Sequence, residues 1–219
     1  MDNRGNKRER VYEALKKRII DVDLPPGFPI IEAEIAEQLG VSTTPIREAL
    51  RQLEHDGLVF SVPARGCMVT HITAQEIHDV FQIREIIETG AAKRAAINGR
   101  NDDIIRFREK NEQLLRAIDA TGECGQDHSA SEEIHPLIIR SLGNSALISI
   151  YNGLRDRILR ILNHYGNRIT PRRCHDIVTE HNQIADAILN GNGDEAESAM
   201  LEHLRKASQF LTSIGTQNR

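Results

Sequence analysis

Residues 34 to 59 read EIAEQLGVSTTPIREALRQLEHDGLV, and this stretch decides how the first part of the chain folds. Apolar residues at helical spacing predict a short helix that ends at Gly40. A turn follows, and the hydroxyl residues before Pro45 are typical of the N-terminus of a second helix. Two short helices joined by a turn of a few residues are typical of a DNA-binding helix-turn-helix.

The second helix and the segment after it carry side chains that suit DNA. The exposed face of this helix holds Thr44, Arg47 and Arg51, and arginine is well shaped to bridge the two acceptors of a guanine. Residues 58–70 predict a β-hairpin wing with Arg65 at its tip, where a basic side chain can enter a minor groove. The alternative is a small helical fold whose charged face is merely solvated.

Length and composition favour two modest domains. The 219 residues are enough for two separate cores, which we place at residues 1–72 and 73–219. No apolar window approaches the length of a membrane span, and the N-terminus lacks an apolar signal region, so we expect a cytoplasmic protein with no membrane partner. The wide spacing of Cys67, Cys124 and Cys174 favours reduced thiols over a disulfide framework.

The charge balance offers no general attraction for DNA. Residues 1–72 carry 10 Lys and Arg against 11 Asp and Glu, within a chain of net charge −4. Local positive charge comes from a basic cluster near a first helix, predicted at residues 8–22, and from the arginines described above. We therefore expect modest non-specific affinity and DNA binding as a homodimer.

From residue 74 onward the apolar residues follow helical spacing, with no strand-like alternation. Six helical patterns lie near residues 74–98, 101–120, 126–142, 145–166, 174–190 and 193–213. Trp is absent and aromatic residues are few, which favours a core of Ile, Leu, Val and Ala. The predicted fold class is mainly α, with an N-terminal winged helix-turn-helix, a small β-hairpin wing and a C-terminal antiparallel bundle of about six helices.

Polar residues occupy inward positions on several of the predicted helices. His135, His181 and His203 share faces with apolar residues, and Arg84 interrupts the apolar stripe of the first bundle helix. A single inward histidine is usually a hydrogen-bonded core residue, but three on three helices can converge on a metal ion. From the residues alone, a metal site and a metal-free set of hydrogen-bonding histidines both stay open.

Arg84 and Asn111 are the candidate effector contacts. An inward guanidinium needs a partner, because an unpaired buried charge is costly. Glu88, one turn further on, would make a structural pair, whereas a ligand carboxylate would accept two parallel hydrogen bonds from Arg84. Asn111 lies on the apolar stripe of the second bundle helix, where it is placed to line the same cavity.

The segment VSTTPIREALRQLEHDGLV, followed by RGCMVTHIT, resembles the winged helix of GntR-family transcriptional regulators. The remainder of the chain is similar to the all-helical, FCD-type ligand-binding domain of the FadR branch. The resemblance implies that four residues approach bases and phosphates, namely Ser42, Thr43, Thr44 and Arg47. It also implies that Arg65 and Gly66 lie at the wing. The family commonly has Arg where this chain has Thr43, so one potential guanine contact is missing and we expect a different operator.

The segments IHPLIIRSLGN, EHNQIADAILNGNGDEA and LEHL resemble those that carry three metal-binding histidines in many FadR-branch domains. By motif these correspond to His135, His181 and His203, which implies a divalent ion such as zinc, nickel or manganese. The family's usual fourth ligand is an Asp at the position of Ser131, and a hydroxyl is a poor ligand for such a cation. Unless Glu132 substitutes, we expect weaker metal binding.

These features predict a DNA-binding transcriptional regulator, in the first instance a repressor, whose helical domain binds a small carboxylate effector. Its homodimer would read a pseudo-palindromic operator. One alternative is a metal-dependent hydrolase with three histidine ligands and a fused DNA-binding module. The sequence has no H-E-x-x-H motif, no convincing Ser-His-Asp set and no Gly-rich phosphate loop, which argues against an enzyme. A second alternative, a constitutive architectural DNA binder, would not need inward Arg and His residues.

Overall fold

The computed structural model of the chain describes residues 3–63, 66–98, 101–123 and 133–216. These residues form nine α helices and one small antiparallel sheet. The chain divides into two compact units, one of residues 1–73 with 156–164 and one of residues 74–155 with 165–219. A compact unit need not fold independently, so the predicted domain boundary stays a prediction.

The first unit contains three N-terminal helices and three strands. The helices are α1, Asn3–Ile20; α2, Glu32–Leu39; and α3, Thr43–His55. The strands are β1, Pro29–Ile30; β2, Val59–Val62; and β3, Gly66–Val69. Strand β3 lies between the other two and pairs antiparallel with both, so the predicted winged helix-turn-helix is confirmed.

The wing differs from the predicted hairpin by one strand. Pro29 aligns with Met68 and Ile30 with Cys67, which makes the sheet three-stranded. Two residues are too few to show an alternating pattern in a sequence, and proline is tolerated because β1 is an edge strand. The pairing with β3 is therefore what identifies β1.

The turn between α2 and α3 depends on one glycine. Gly40 ends α2 with φ 63° and ψ 37°, in the left-handed region that favours glycine. Its backbone N–H points to the carbonyls of Ala36 and Glu37, which closes the last turn of α2. Beyond the turn, Ile46 and Leu53 are fully buried and anchor α3 in the core of the first unit.

The six predicted bundle helices are confirmed over the described residues. They are α4, Ala74–Asn98; α5, Asp102–Thr121; α6, Ile134–Ser141; α7, Ser145–Tyr165; α8, Pro171–Leu189; and α9, Gly193–Thr216. A short 3₁₀ helix, Gly166–Arg168, separates α7 from α8. All of these helices lie in the second unit except residues 156–164 of α7.

Helix α1 begins at Asn3 rather than at residue 8, and the start of α8 also differs from the prediction. Helix α8 begins at Pro171 rather than at residue 174, because the Thr170 hydroxyl accepts a hydrogen bond from the Arg173 N–H and caps the helix. The described part of α6 begins at Ile134, and the earlier residues of the predicted helix, up to residue 132, lie outside the described residues.

The cysteines differ in their chemical state. Cys67 in β3 is a free thiol, and burial raises its pKa to about 11. Cys174 in α8 is disulfide-bonded, so the expectation of reduced thiols was wrong at this position. Cys124 lies outside the described residues.

Four helices of the second unit surround a buried polar cluster. Helix α4 packs against α6, α8 and α9, and α5 packs against α6 and α8. This packing places Arg84, His135, His181 and His203, from four different helices, at interior positions with at most 2% exposure. None of the described helices combines the length and the apolar composition that a membrane span requires.

Candidate functional site

The outer face of α3 carries the residues predicted to contact DNA. Ser42, Thr44, Arg47 and Arg51 are exposed, and Thr43 is half-buried. The opposite face of the helix is apolar and buried. Helix α3 therefore presents hydroxyl and guanidinium groups to solvent, as a helix that enters the major groove requires.

Arg47 already has a partner within the first unit. Its Nε donates to Oε2 of Glu32 at 2.6 Å, which links α3 to the start of α2. The Arg47 side chain remains 64% exposed, so this is a surface ion pair of small net stability. A DNA phosphate or base can therefore replace Glu32 at low cost.

At the tip of the wing, the described residues end at residue 63 and resume at Gly66. Gly66 begins β3, is exposed and has φ 83°, a left-handed conformation that favours glycine. Arg65, the residue predicted to enter the minor groove, lies outside the described residues. Its role at the wing stays a prediction.

The three inward histidines converge on one point. One potential ligand nitrogen from each of His135, His181 and His203 lies within 4.8 Å of the other two. Nε2 of His181 and Nε2 of His203 are 3.2 Å apart. A tetrahedral zinc ion with Zn–N distances of about 2.0–2.1 Å holds its ligand nitrogens about 3.3 Å apart. The closest pair therefore has the spacing of two ligands of one ion.

Two buried carboxylates orient two of the imidazole rings. Oε2 of Glu88 lies 2.6 Å from Nδ1 of His135, and Oε2 of Glu180 lies 2.8 Å from Nδ1 of His203. A carboxylate acceptor keeps the ring hydrogen on Nδ1. The Nε2 atom of each ring then retains the lone pair that a metal ion needs.

Each of these carboxylates also binds an arginine. Nε of Arg84 donates to Oε1 of Glu88 at 2.7 Å, and Nη1 of Arg173 donates to Oε1 of Glu180 at 2.8 Å. The cluster thus contains two parallel arrangements, each running from an arginine through a glutamate to a histidine.

The arginines and histidines keep both carboxylates ionised. Burial alone would raise the pKa of Glu88, but Arg84 and His135 outweigh it and lower that pKa to about 2. Burial likewise opposes ionisation of Glu180, and its partners His203 and Arg173 lower its pKa below the ordinary value. Both glutamates therefore act as hydrogen-bond acceptors at neutral pH.

His181 hydrogen-bonds through only one of its two ring nitrogens among the described residues. Its Nδ1 is buried and has no hydrogen-bond partner among the described residues. Burial, followed by the nearby His203 and His135, holds the pKa of His181 well below its usual value, so the ring is neutral. A neutral imidazole is the form that binds a metal. In a metal-free protein, Nε2–H of His181 would instead donate to His203.

The donor set fits a divalent metal with three protein ligands. Three imidazoles leave at least one coordination position for solvent or for a further ligand. Ser131 and Glu132, the two residues considered for the fourth position, lie outside the described residues.

The two candidate effector contacts have different surroundings. Arg84 contacts Glu88 and also stacks on Phe81, with its guanidinium carbon 4.9 Å from the ring centroid. Asn111 is buried on α5, and its Nδ2 donates to the Val178 carbonyl at 2.9 Å and to Oδ1 of Asn182 at 2.8 Å. Glu88 thus joins Arg84 to the histidines, whereas both N–H groups of Asn111 are committed to α8.

Two residues of the cluster, Arg173 and Glu180, escape prediction from the sequence. Glu180 adjoins His181 in the sequence but contacts His203 on α9, and the spacing within α8 does not predict a contact with another helix. An acidic residue beside a candidate ligand is the only signal that could have indicated it. For Glu88, spacing indicates the pair with Arg84 but not the contact with His135.

Known protein families match both parts of the chain. Residues 79–206 match the FCD domain, and residues 7–69 match the bacterial regulatory proteins of the gntR family. The HTH-type transcriptional regulator YdhC of Bacillus subtilis (strain 168) is 28% identical over 205 residues, which cover 93% of this chain and 90% of that protein. The HTH-type transcriptional repressor RspR of Escherichia coli (strain K12) is 24% identical, with 96% of this chain and 91% of that protein covered.

The solved structure of E. coli McbR/YncC shares the fold, with a TM-score of 0.74 and 20% identity over 97% of this chain and 99% of that chain. The matched families and the relatives are regulators and not enzymes, so the hydrolase alternative is wrong. Regulators of the gntR family bind operator DNA and typically act as dimers. The chain therefore belongs to the gntR family of bacterial regulatory proteins, in the FadR-like branch with an FCD domain, and is a DNA-binding transcriptional regulator.

Proposed function

We propose that this chain is a cytoplasmic repressor whose homodimer binds a pseudo-palindromic operator and releases it when a small carboxylate binds at a metal ion in the FCD domain. The observation that supports the metal site is the convergence of three buried imidazoles, with ligand atoms within 4.8 Å of one another. The relative RspR, which is a transcriptional repressor, supports the direction of regulation.

The charges around the histidines favour an anionic effector. The two negative charges of Glu88 and Glu180 are balanced by the two positive charges of Arg84 and Arg173. Lys206, whose Nζ lies 3.7 Å from Oε1 of Glu180, is paired more closely with Glu202 at 2.7 Å, so it adds no net charge to the cluster. Neutral imidazoles would not compensate a bound divalent ion, so a carboxylate ligand would supply the missing negative charge.

The residues of the cluster would divide the work of binding the effector. A zinc, nickel or manganese ion held by His135, His181 and His203 would supply positive charge and an open coordination position. Arg84 and Asn111 are the proposed further contacts with the effector, and Asn111, whose N–H groups are committed to α8, would accept a hydrogen bond from an effector hydroxyl through its Oδ1. Arg84 would share its guanidinium between Glu88 and the effector carboxylate, since arginine can donate to two acceptors in parallel.

Effector binding alters operator affinity only through a difference in affinity between two conformations. The effector must bind the released conformation more tightly than the DNA-bound one, and by linkage operator DNA then weakens effector binding by the same factor. This reciprocity applies whichever carboxylate is the effector.

Native mass spectrometry with elemental analysis of the purified full-length protein tests the metal and the dimer together. We expect a dimer with one divalent metal ion per chain, and we expect His181→Ala to lose the metal. His175→Ala is the matched control, because His175 lies on the same helix with its side chain 40% exposed. Protein that takes up no zinc, nickel or manganese between about pH 6 and 8 would contradict the metal site.

Gel-shift titrations with a panel of small carboxylic acids test the regulation. Operator release should require the metal, so protein treated with a chelator should keep its DNA in the presence of the active acid. If no acid releases the operator from metal-loaded protein, the effector part of the proposal is wrong. If release is equally efficient after chelation, the acid does not act through the metal.

A further inference from the structure

Helix α4 is apolar on its outer face as well as on its inner face. Ile83 is 43% exposed, Ile86 74% and Ile97 69%. At about 100° per residue, these isoleucines fall within an arc of about 80° that also contains Asp79, Gly90 and Arg94. We call this set the α4 stripe: Asp79, Ile83, Ile86, Gly90, Arg94 and Ile97.

The stripe is separate from the face of α4 that reaches the histidine cluster. Arg84 and Glu88, which lie on the buried side of α4, reach the histidine cluster. Scattered apolar side chains are normal on a protein surface, but isoleucines grouped on one helix face indicate a surface that another molecule covers. A helix that is apolar on both sides is one that is buried on both sides.

We propose that the α4 stripe of one copy of this chain packs against the α4 stripe of a second copy. The two α4 helices lie antiparallel about a twofold axis. The inference rests on the proposed homodimer and adds the surface that forms it. A twofold axis brings the same patch of both subunits together, so the patch must be complementary to itself. When a twofold axis crosses an antiparallel helix pair, a residue before the axis in one subunit faces a residue after the axis in the other. The two residues are equally far along the sequence from the point where the axis crosses.

Two different pairs of residues in the stripe share one such point. The midpoint of Ile83 and Gly90 lies between Ile86 and Ile87, and the midpoint of Asp79 and Arg94 is the same. A single axis there sets Ile83 against Gly90 of the partner subunit and Asp79 against Arg94 of the partner subunit. Ile86 then lies beside the axis, where it meets the corresponding region of the other copy.

Among the described residues, none of the surroundings of Gly90 within its own subunit requires a glycine. A Cβ atom added at Gly90 would meet no described atom within 4 Å. Glycine in the middle of a helix is less favourable than alanine, so a local reason for it is missing. The gap left by the absent side chain instead provides room for Ile83 of the partner subunit.

The charges at the ends of the stripe are complementary and available. Arg94 is exposed and makes no ion pair among the described residues. Asp79 is also exposed, and its Oδ1 accepts a hydrogen bond from Nε2 of Gln75 at 2.7 Å. Neither charge is committed to an opposite charge, so each can pair with the other across the axis.

Sedimentation velocity of the full-length chain at micromolar concentration tests the surface. Wild-type protein should be a dimer, and Ile86→Glu should be a monomer, because the substitution places two carboxylates beside the axis. Ile150→Glu is the matched control, since Ile150 is 62% exposed on α7 and lies outside the stripe. Circular dichroism of each variant confirms that the helices are intact.

Exchanging the charges of Asp79 and Arg94 gives a second test of the surface, in which no charge is introduced at an apolar position. Asp79→Arg and Arg94→Asp should each raise the dimer dissociation constant at least about tenfold, because each creates two like-charge contacts. The double variant D79R/R94D should recover the wild-type constant. A monomeric wild-type protein would contradict the proposed homodimer itself. A wild-type dimer that survives both Ile86→Glu and the single charge exchanges would overturn the α4 surface alone.

Discussion

At the scale of single residues, Arg47 has two competing partners. In the free protein its Nε contacts Glu32 at 2.6 Å, and in the complex we predict that it contacts a base. We expect Arg47→Ala to weaken operator binding by about 1–3 kcal/mol, with little change on scrambled DNA. Fluorescence anisotropy with both duplexes measures this. Arg106→Ala on α5 is the control, and unchanged operator binding in Arg47→Ala would show that α3 is not the recognition helix.

Removing the negative charge of Glu32 should strengthen operator binding, whereas Arg47→Ala should weaken it. Glu32→Gln removes the competing carboxylate, so operator binding should tighten by no more than about 1 kcal/mol, the upper range for an exposed ion pair. The substitution also reduces negative charge near the DNA phosphates. Affinity for scrambled DNA therefore has to be measured in parallel. A gain on the operator beyond the gain on scrambled DNA reports the release of Arg47.

Glu180 is predicted to control metal affinity without being a ligand. It accepts a hydrogen bond from Nδ1 of His203 at 2.8 Å, which fixes the ring hydrogen on that nitrogen. Glu180→Gln should lower zinc affinity about 10–100-fold, the usual effect of removing a carboxylate behind a metal-binding histidine. Competition with a chromogenic chelator measures this. Glu112→Gln, which changes a carboxylate on α5 whose side chain is 44% exposed, should leave zinc affinity unchanged, and equal affinity in both variants would remove Glu180 from the site.

At the scale of secondary-structure elements, the backbone conformations of two glycines, one in the helix-turn-helix and one in α7, predict opposite effects of alanine on stability. Gly40 has φ 63° and no described atom within 4 Å of an added Cβ, so alanine there costs only backbone strain. We expect Gly40→Ala to lower the free energy of unfolding by about 1–2 kcal/mol. Gly153 in α7 has equally open space without a positive φ, so Gly153→Ala should raise stability by about 0.5–1 kcal/mol. Urea unfolding measures both, and shifts of the same sign would contradict this account.

Helix α4 shows how one element can serve two different surfaces. Its inner face supplies Arg84 and Glu88 to the histidine cluster, and its outer face carries the α4 stripe. On one side of the helix, Gln82 and Glu85 separate the two faces. A substitution in the stripe should therefore change assembly while metal content per chain stays the same.

At the scale of the whole molecule, charge predicts that one subunit binds DNA weakly. Residues 1–72 hold more acidic than basic side chains, so specific contacts must act together in two subunits. A duplex with one half-site should bind at least about 100-fold more weakly than the complete operator, as expected when two linked sites act together. Gel shifts with both duplexes measure the ratio. Ile86→Glu should lower operator affinity towards the half-site value, and equal binding of both duplexes by wild-type protein would contradict dimeric recognition.

Much of the architecture is local enough to be read from the sequence. Gly40 before a turn, hydroxyl residues before Pro45 and apolar residues at helical spacing specify each element from its neighbours in the chain. The same periodicity marks Arg84, His135, His181 and His203 as inward residues, and the structure buries all four. A residue's side of its helix depends on a period of 3.6 residues, and that period is visible in one sequence.

Only the tertiary structure decides which inward residues meet. Glu180 contacts His203 rather than its neighbour His181, and β1 is recognisable only through its pairing with β3. Such contacts depend on the axial shift and rotation of packed elements, which are set by side-chain packing across many distant residues. The sequence therefore determined which side chains enter the core of the bundle, and the packing of α4, α6, α8 and α9 decided that three of them share one point in space.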